Sequence, residues 1–326
     1  MSKDKKYLSA SRIKTFESCS WLYWCNYHLK IPQRGNPGMW MGSVCHLIFE
    51  LLLSPKHKKH YSLVVTAETI EASKPIRRLI VKHLKRYGIF EDQYYELVDK
   101  MILVGLKQDF FVKGGKLLEP EFKFDITNEN PEYRIYGFID KIAQFKKNKT
   151  LEIYDYKSSK AKFKGEGLDA NIQAMMYSLV SKKKWPDFKP IVKFMFVRFP
   201  KKPIQELAFD DDTLKGFEYY LAEVYKRVTN FKEENTRTNY AADQPKPSDG
   251  SWGGSLNCGF ASYKGQLKKD GTPMWHCPYK FDFSYYALKN KDGDVVKTSL
   301  ENDLTAGEKE KIVKMKYNGC PRFSLT

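Results

Sequence analysis

The sequence lacks any long apolar run. None of its hydrophobic stretches approaches the roughly twenty residues that cross a bilayer, and its N-terminus has no apolar segment of the signal-peptide type. It also contains no internal repeat of the kind that marks a solenoid or a propeller. These absences argue against a transmembrane protein and against a repeat array. We expect a soluble, cytoplasmic chain, in the host cytoplasm if the gene is carried by a phage.

Acidic residues are few relative to basic ones. The chain has 56 Lys and Arg against 39 Asp and Glu, which gives a net charge of +17. Such a surplus attracts a polyanion through long-range electrostatics and counterion release. An aromatic content of 15% adds stacking surfaces for unpaired bases. Composition therefore favours a nucleic-acid partner, although lysine runs such as SPKHKKH and SKKKW are also typical of solvated faces.

Hydrophobic periodicity predicts alternating helices and strands over residues 1–234. The predicted helices are a first one capped by Ser9 or Ser11, then 39–53, several within 66–112, 168–182 and 210–232. The predicted strands are 117–126, 132–146, 150–157 and 190–198. This order indicates an α/β fold in which a small mixed sheet is flanked by helices. A helical insertion is predicted at about 56–115, and we expect it to lie over the cleft that holds the functional residues.

The sequence changes character near residue 235. Residues 235–275 contain Pro245, Pro247 and many Gly, Ser and Asn residues with little periodicity. We therefore predict a second, loop-rich region over 235–326. Such a region buries little apolar surface and needs an additional staple to hold it.

The strand predicted at 150–157 ends in a charged pair. Leu151, Ile153, Asp155 and Lys157 share one face, because residues two apart in an extended chain point the same way. The face therefore begins apolar and ends with a carboxylate beside an ammonium group. An ordinary salt bridge in a hairpin accounts for this tripeptide equally well, since D-x-K is common by chance.

Asp140 lies in the preceding predicted strand. Tyr136, Phe138 and Ile142 share its parity, so we expect this carboxylate to lie among buried side chains. A buried carboxylate needs a cation as partner. Two carboxylates that converge on Mg²⁺ or Mn²⁺ would suit hydrolysis of a phosphodiester by a metal-activated water, with Lys157 orienting that water or neutralising the developing charge.

Two predicted helices supply further polar residues. His46 and Glu50 lie four apart on one face of helix 39–53, and a neutral His is a good metal ligand. Gln173 and Tyr177 lie four apart on helix 168–182 and can contact phosphate or hold the lysine. Each of these residues taken alone has a plain structural interpretation.

The order of these residues resembles the PD-(D/E)xK nuclease superfamily, in particular the branch of the RecB nuclease domain and the CRISPR-adaptation exonucleases. The residues that carry this resemblance are His46, Asp140, Asp155-Tyr156-Lys157 and Gln173-x-x-x-Tyr177. The strings SASRIKTFESCSWLYW and GSVCHLIFE also resemble the opening of that branch. The resemblance covers residues 8–200 and implies a restriction-endonuclease-like core.

The resemblance also implies roles for individual residues. Lys157 would be the catalytic lysine, and Gln173 and Tyr177 would position the strand. Glu121 lies where some relatives carry a further acidic residue, with Glu119 as a competing candidate. The implied metal ligands are His46, Asp140, Asp155 and the backbone carbonyl of Tyr156.

Four of the six cysteines have the layout by which several members of this branch hold a 4Fe-4S cluster, with one cysteine early and three late. They are Cys19, in the first predicted helix, and Cys258, Cys277 and Cys320. The late three are separated by 18 and 42 residues, wider than the compact family spacing and without a C-x-x-C pair. Structural Zn²⁺, with His276 as a further candidate ligand, and buried thiols are therefore alternatives. Cys25 and Cys45 are expected to pack in helices, and disulfides are not expected.

Motifs and resemblance together predict a metal-dependent DNA exonuclease that acts on free DNA ends in recombination, repair or replication, alongside protein partners of those processes. One alternative is a structure-selective endonuclease, such as a junction resolvase, on the same core. Another is a non-catalytic DNA-binding recombination accessory protein. The intact D-x-K pair argues against a loss of catalysis.

Overall fold

The structure is a computed structural model that describes residues 6–33, 35–238 and 258–323. The predicted loop around Pro245 and Pro247 lies outside the described residues. The chain divides into two compact units. The first unit comprises Met1–Ala10 and Gly35–Tyr225, and the second comprises Ser11–Arg34 and Lys226–Thr326. Within the described residues, no helix is both long enough and apolar enough to span a membrane.

The described residues form α-helices and β-strands that follow the predicted alternation. The helices are α1 (Ala10–Ser18), α2 (Ser20–Tyr27), α3 (Pro37–Leu53), α4 (Lys58–Ala67), α5 (Lys74–Arg86), α6 (Asp92–Lys107), α7 (Glu166–Asp169), α8 (Ile172–Lys184) and α9 (Asp211–Thr229). The strands are β1 (Lys116–Leu117), β2 (Phe122–Glu129), β3 (Glu132–Ile139), β4 (Lys141–Phe145), β5 (Thr150–Lys157), β6 (Lys189–Phe196), β7 (Ile204–Leu207), β8 (Phe283–Lys289), β9 (Val295–Ser299) and β10 (Lys311–Tyr317).

A five-stranded mixed sheet, ordered β1-β4-β5-β6-β7, forms the centre of the first unit. Strands β5 and β6 are parallel, and the other pairs are antiparallel. The central strand β5 has apolar residues on both faces, as a strand covered on both sides requires, and Leu151 and Ile153 are fully buried. The predicted α/β class, a small mixed sheet flanked by helices, is confirmed.

The chain bends at Asp140, where a single strand was predicted over 132–146. Strand β3 ends at Ile139 and pairs only with β2, whereas β4 begins at Lys141 and belongs to the central sheet. Phe138, which was predicted to be buried on the same strand face as Asp140, is therefore exposed. Ile135 and Ile139, which point to the opposite face of β3, are buried instead. The bend leaves Asp140 at a corner between two sheets.

Asn side chains begin the two helices that carry the polar residues. Asn36 accepts a hydrogen bond from Met39 N at 2.9 Å ahead of α3, with Pro37 in the first turn. Asn171 accepts one from Ala174 N at 3.1 Å ahead of α8. Both bonds satisfy backbone donors that a helix otherwise leaves unpaired. They fix the residue at which each helix starts, and so which side chains reach the sheet.

The second unit contains a sheet that the sequence analysis did not anticipate. Residues 258–282 have only turns and isolated bridges, in line with the loop-rich prediction. Strands β8, β9 and β10 then form an antiparallel sheet in the order β10-β8-β9. Cys19, placed in the first helix by the sequence analysis, instead lies between α1 and α2 as the residue that precedes α2.

Candidate active site

A hairpin places two acidic residues side by side. Strands β2 and β3 pair with Phe122 opposite Ile139, so one further step sets Glu121 opposite Asp140. The backbone N–H of Glu121 donates to the Asp140 carbonyl at 3.1 Å, and Glu121 has a φ of 53°. This left-handed backbone turns the chain out of the strand at the same point where β3 ends.

His46 completes a group of three ligand types at this corner. One ligand atom each of His46, Glu121 and Asp140 lies within 4.8 Å of the other two. His46 Nδ1 is 3.2 Å from Asp140 Oδ2. Burial opposes protonation of His46, but the Asp140 carboxylate outweighs it and raises the pKa of the imidazole to about 9. Burial, reinforced by the charge of Asp140, raises the pKa of Glu121, which is the electrostatic signature of a site that favours a cation.

Asp155 is the most deeply buried carboxylate of the site, with a side chain only 4% exposed. Burial raises its pKa, and the nearby Lys157 ammonium opposes that shift. Lys157 Nζ lies 2.5 Å from Asp155 Oδ2. A buried carboxylate oxygen that already faces a cation is a candidate ligand atom for a metal.

The other Asp155 oxygen belongs to a hydrogen-bond network with α8. Gln173 Nε2 lies 2.8 Å from both Asp155 Oδ1 and Tyr177 OH. Gln173 Oε1 accepts a hydrogen bond from Lys157 Nζ at 2.7 Å. The Tyr177 hydroxyl lies 3.1 Å from Asp155 Oδ1 and 3.0 Å from the Phe138 carbonyl, and burial raises its pKa well above its usual value. Gln173 thus fixes the lysine and the aspartate relative to each other.

Tyr156 presents its backbone to Asp140. Its N–H donates to Asp140 Oδ2 at 2.8 Å. The β4–β5 ladder begins with Lys141 opposite Tyr154, so Tyr156 lies beyond the last paired residue. Because the N–H and C=O of a strand residue point to the same side, the Tyr156 carbonyl also faces Asp140. The tyrosine ring anchors this segment by stacking on Phe49, with ring centroids 4.2 Å apart.

The structure thus brings all the predicted site residues of the first unit together, and it adds others. A cleft of about 900 Å³ opens onto the corner formed by His46, Glu121 and Asp140, which we name the metal-ligand corner after the ligand types gathered there. The cleft is lined by Asn36, Gly38, Met39, Gly42, Ser43, His46, Leu47, Glu50, Glu121, Asp140, Tyr156, Lys157, Ser158, Ser159, Lys160 and Arg198. Helices α4, α5 and α6 contribute no residue to this lining, and the expected cover over the cleft stays a prediction. These helices instead share an apolar core with α3.

Arg198 is the residue that the sequence analysis missed most clearly. It follows β6, the strand parallel to β5, and Val197 N donates to the Lys157 carbonyl at 3.0 Å. Ligands of open α/β sheets bind outside the carboxyl ends of the strands. That rule, applied to the end of the predicted strand 190–198, would have drawn attention to Arg198. A similar argument applies to Glu121, which the sequence analysis named only through the resemblance. Strands β2 and β3 are joined by a tight turn at Asn130 and Pro131, and their register places Glu121 opposite Asp140.

The predicted cysteine group is gathered within the second unit. Cys19 and Cys320 are buried together, with Cys258 packed against them. Cys277 N donates to the Cys258 carbonyl at 3.0 Å. Burial raises the pKa of the Cys277 thiol to about 12, with further contributions from the other three cysteines. Cys25 and Cys45 are buried in helices α2 and α3, as the sequence analysis expected.

Comparison with known proteins extends these observations. A sequence model of the PD-(D/E)XK nuclease superfamily matches residues 7–262. Among solved structures, the chain is similar to a putative exonuclease from Eubacterium rectale, with a TM-score of 0.44 and 12% identity, covering 70% of this chain and 82% of that one. It is also similar to the protein SSO0001, with a TM-score of 0.24 and 19% identity, covering 59% of this chain and 92% of that one. No curated protein sequence matches the chain.

Proposed function

The chain belongs to the PD-(D/E)XK nuclease superfamily, and from that premise we propose that it is a metal-dependent exonuclease that hydrolyses DNA from free ends. The observation that carries the proposal is the group formed by His46, Glu121 and Asp140, whose ligand atoms lie within 4.8 Å of one another. The D-x-K pair of β5 lies beside that group in the same unit. The basic net charge of +17 supports a polyanionic substrate.

The donor set fits Mg²⁺ or Mn²⁺. Three carboxylates, one imidazole and the Tyr156 carbonyl offer mainly hard oxygen ligands, which these ions prefer. The buried Asp155 Oδ2, which faces the Lys157 ammonium group, is suited to complete the set. A divalent cation bound there would polarise the scissile phosphate and lower the pKa of a bound water. Such binding would displace the proton from His46, because a ligating imidazole must be neutral.

The remaining side chains orient the reaction. Lys157 is held by Asp155 and by Gln173 Oε1, so its ammonium is positioned to orient the attacking water and offset negative charge as it develops. Gln173 and Tyr177 fix Asp155 through its second oxygen. Both residues therefore act on the chemistry by positioning other groups, and we assign them that role.

Replacement of Asp155 tests the catalytic assignment. We expect Asp155→Asn to lower the rate of DNA hydrolysis in Mg²⁺ or Mn²⁺ by roughly a thousandfold, while the Kd for DNA stays within a few-fold. Nucleotide release and fluorescence anisotropy measure the two quantities. Asp125→Asn is the matched control, because Asp125 is exposed on β2 and pairs with Arg134 away from the cleft. Wild-type hydrolysis by Asp155→Asn would reject the assignment.

The form of the DNA substrate separates the alternatives. An exonuclease leaves a covalently closed circle intact and releases nucleotides from the same DNA once it is linear. A structure-selective endonuclease would cut branched or circular DNA instead. A DNA-binding accessory protein would bind DNA and release nothing in Mg²⁺ or Mn²⁺ beyond an EDTA control. We assign the chain to the RecB and CRISPR-adaptation branch, with a role in recombination, repair or replication, on the motif order described above.

We further propose that Cys19, Cys258, Cys277 and Cys320 hold a 4Fe-4S cluster. The convergence of these four thiols within the second unit supports a shared ligand. Tetrahedral Zn²⁺ and buried thiols without a metal are the alternatives. Iron and acid-labile sulfide in anaerobically purified protein test this assignment, and zinc without iron would overturn it.

A further inference from the structure

The cleft has two ends of opposite charge. Its acidic end is the metal-ligand corner, with Glu50 on the next turn of α3 after His46. Its basic end lies where β5 and β6 finish, and there Lys160 and Arg198 line the cleft together with Ser158 and Ser159. The metal assignment uses only the acidic end.

Arg198 is oriented by the backbone rather than by a carboxylate. Its Nε donates to the Ser158 carbonyl at 2.7 Å, and the side chain is half-buried. Within residues 6–33, 35–238 and 258–323, no acidic group lies in ion-pair distance of Arg198 or of Lys160. A guanidinium held by one nitrogen still offers its two terminal nitrogens as a fork, the geometry that binds phosphate oxygens in a bidentate manner.

Close packing brings this basic end next to the catalytic groups. A Cβ on Gly42 would lie 2.5 Å from Ser158 Oγ, so α3 approaches the end of β5 as closely as a glycine permits. Ser158 directly follows Lys157. Gly42 precedes His46 by one helical turn, about 6 Å along the axis. A phosphate bound at Arg198 would therefore neighbour the phosphodiester at the metal-ligand corner.

We propose that Arg198, Ser158, Ser159 and Lys160 bind the terminal phosphate of a DNA strand and thereby select phosphorylated ends. A terminal phosphate carries up to about two negative charges, against one for an internal diester. Two cations without an ion-pair partner in the described part of the chain match the more highly charged group, and Ser158 and Ser159 lie beside them. The Ser159 hydroxyl donates to the Ala161 carbonyl at 2.7 Å, so it would need to turn to donate to a phosphate. This proposal rests on the proposed nuclease function. It explains why hydrolysis would start at the end of a DNA strand.

Rates on strands that differ only in their termini test the proposal. One oligonucleotide is prepared with a 5′-phosphate, with a 3′-phosphate and with hydroxyls at both ends. We expect wild-type protein to degrade one phosphorylated form about tenfold faster in kcat/KM than the hydroxyl form, the worth of one charged hydrogen-bonded contact. Arg198→Gln should lose most of that preference, because its kcat/KM should fall more on the phosphorylated form than on the hydroxyl form. The favoured terminus identifies which end is bound.

Two further variants keep the test decisive. Lys160→Gln alters an exposed side chain, so it should weaken the preference without affecting folding. Arg78→Gln, an exposed arginine on α5 outside the cleft, is the matched control and should behave as wild type. Equal rates on all three forms by wild-type protein, or an equal loss on all three forms in Arg198→Gln, would overturn the proposal while leaving the nuclease assignment intact.

Binding gives a readout that does not depend on hydrolysis. Anisotropy of the same three labelled strands with Asp155→Asn protein should show tighter binding of one phosphorylated form. If the wild-type protein hydrolyses no DNA, the nuclease proposal fails, and this binding comparison still decides the phosphate proposal. Indistinguishable affinities for the three strands would reject it.

Discussion

The two units are stabilised internally by different kinds of contact. The first unit has a large apolar cluster that includes Val44, Ile48 and Phe49 of α3 and Met101 and Ile102 of α6. Two clusters described in the second unit, one around Cys25 and one around Cys19, have fewer members, and Phe16, Tyr23 and Phe231 pack against one another elsewhere in that unit. A unit with a large core can maintain a charged site at the edge of its sheet, because apolar burial at about 25 cal/mol per Å² offsets the cost of the polar groups. The two smaller clusters of the second unit provide less of that offset.

Hydrogen bonds from aromatic side chains add to the stability of the second unit and compensate in part for its smaller apolar clusters. Tyr279 OH donates to the Ile31 carbonyl at 2.6 Å, and Tyr317 OH donates to the Tyr279 carbonyl at 2.9 Å. Trp21 Nε1 donates to Tyr317 OH at 2.8 Å. Each of these bonds contributes about 1 kcal/mol, which is little for a unit of two short helices, one small sheet and many turns. The comparison predicts that the cysteine group is needed for the second unit to fold, and that the first unit folds on its own core.

Loss of one cysteine ligand should have the largest effect. We expect Cys277→Ser to lose bound iron and to expose the second unit to protease, because ligand binding and folding are coupled in a unit with so small a core. The first unit should remain protected. Limited proteolysis with mass spectrometry locates the cuts, and metal analysis measures the iron.

Cys25→Ser is the control for this prediction. Cys25 is buried in the same unit and lies near Cys277, but it is not one of the four predicted ligands. Its Sγ lies 3.9 Å from Tyr317 OH, where a serine hydroxyl can replace the contact. It should keep its iron and its protection. Protease resistance in Cys277→Ser equal to that of the wild type would refute the contrast between the units.

The same contrast explains how much of the fold could be predicted from sequence. Strand β5 and helix α3 of the first unit were predicted because a large core imposes clear periodicity, with Leu151 and Ile153 buried ahead of Asp155. The sheet of the second unit was missed because its strands alternate weakly: in β9 and β10 the described residues are mostly exposed or half-buried. Periodicity reports a core, so it fails where the core is small.

The candidate site was predictable only in part, for a related reason. Its residues lie on regular elements whose spacing is visible in the sequence, as with Asp155 and Lys157. The bend at Asp140 is a tertiary feature. The part of the apolar stretch before it pairs with β2, and the part after it pairs with β5 of the central sheet. Glu121 and Arg198 reach the cleft because of how the strands pair. A motif within one segment of sequence carries no information about that pairing.

A buried lysine tests how large a free-energy cost of burying a charged group the first unit tolerates. Lys141 is 1% exposed, donates to the Phe110 carbonyl at 3.1 Å and lies 3.9 Å over the Tyr154 ring. Burial lowers the pKa of Lys141 from 10.5 to about 7, with Asp109 opposing the shift. The folded state thus binds fewer protons than the unfolded state between these two values, so this residue makes stability rise with pH across that window.

Lys141→Met should remove that rise. Below about pH 7 the ammonium is charged in both states and its burial cost is fully present; above about pH 10.5 the amine is neutral in both and the cost is gone. We expect the stability of Lys141→Met relative to wild type to fall by on the order of 3 kcal/mol between pH 7 and pH 10. Urea unfolding at several pH values measures it, with Lys82→Met as an exposed control on α5. A difference that is constant with pH would contradict this account.

The smallest expected effects come from two glycines of the first unit in opposite surroundings. A Cβ on Gly105 of α6 would lie 2.4 Å from the ring of Phe49, which is fully buried and stacked on Tyr156. The ring has no room to move, so Gly105→Ala should cost about 1–3 kcal/mol through overpacking. Because Tyr156 N–H holds Asp140, the same change should also lower nuclease activity.

Gly216 on α9 is the matched helical glycine, and it lies on the surface rather than in an apolar core. A Cβ there would meet no atom within 4 Å, and the residue is exposed. Gly216→Ala should therefore raise the free energy of unfolding by about 0.5–1 kcal/mol, since alanine loses less backbone entropy in a helix. Thermal and urea unfolding of the two variants, with rates of nucleotide release, provide the comparison. If Gly105→Ala proved as stable and active as Gly216→Ala, the packing between α3 and α6 would not be what holds Tyr156 and Asp140 in place, and the site would owe its geometry to the strands alone.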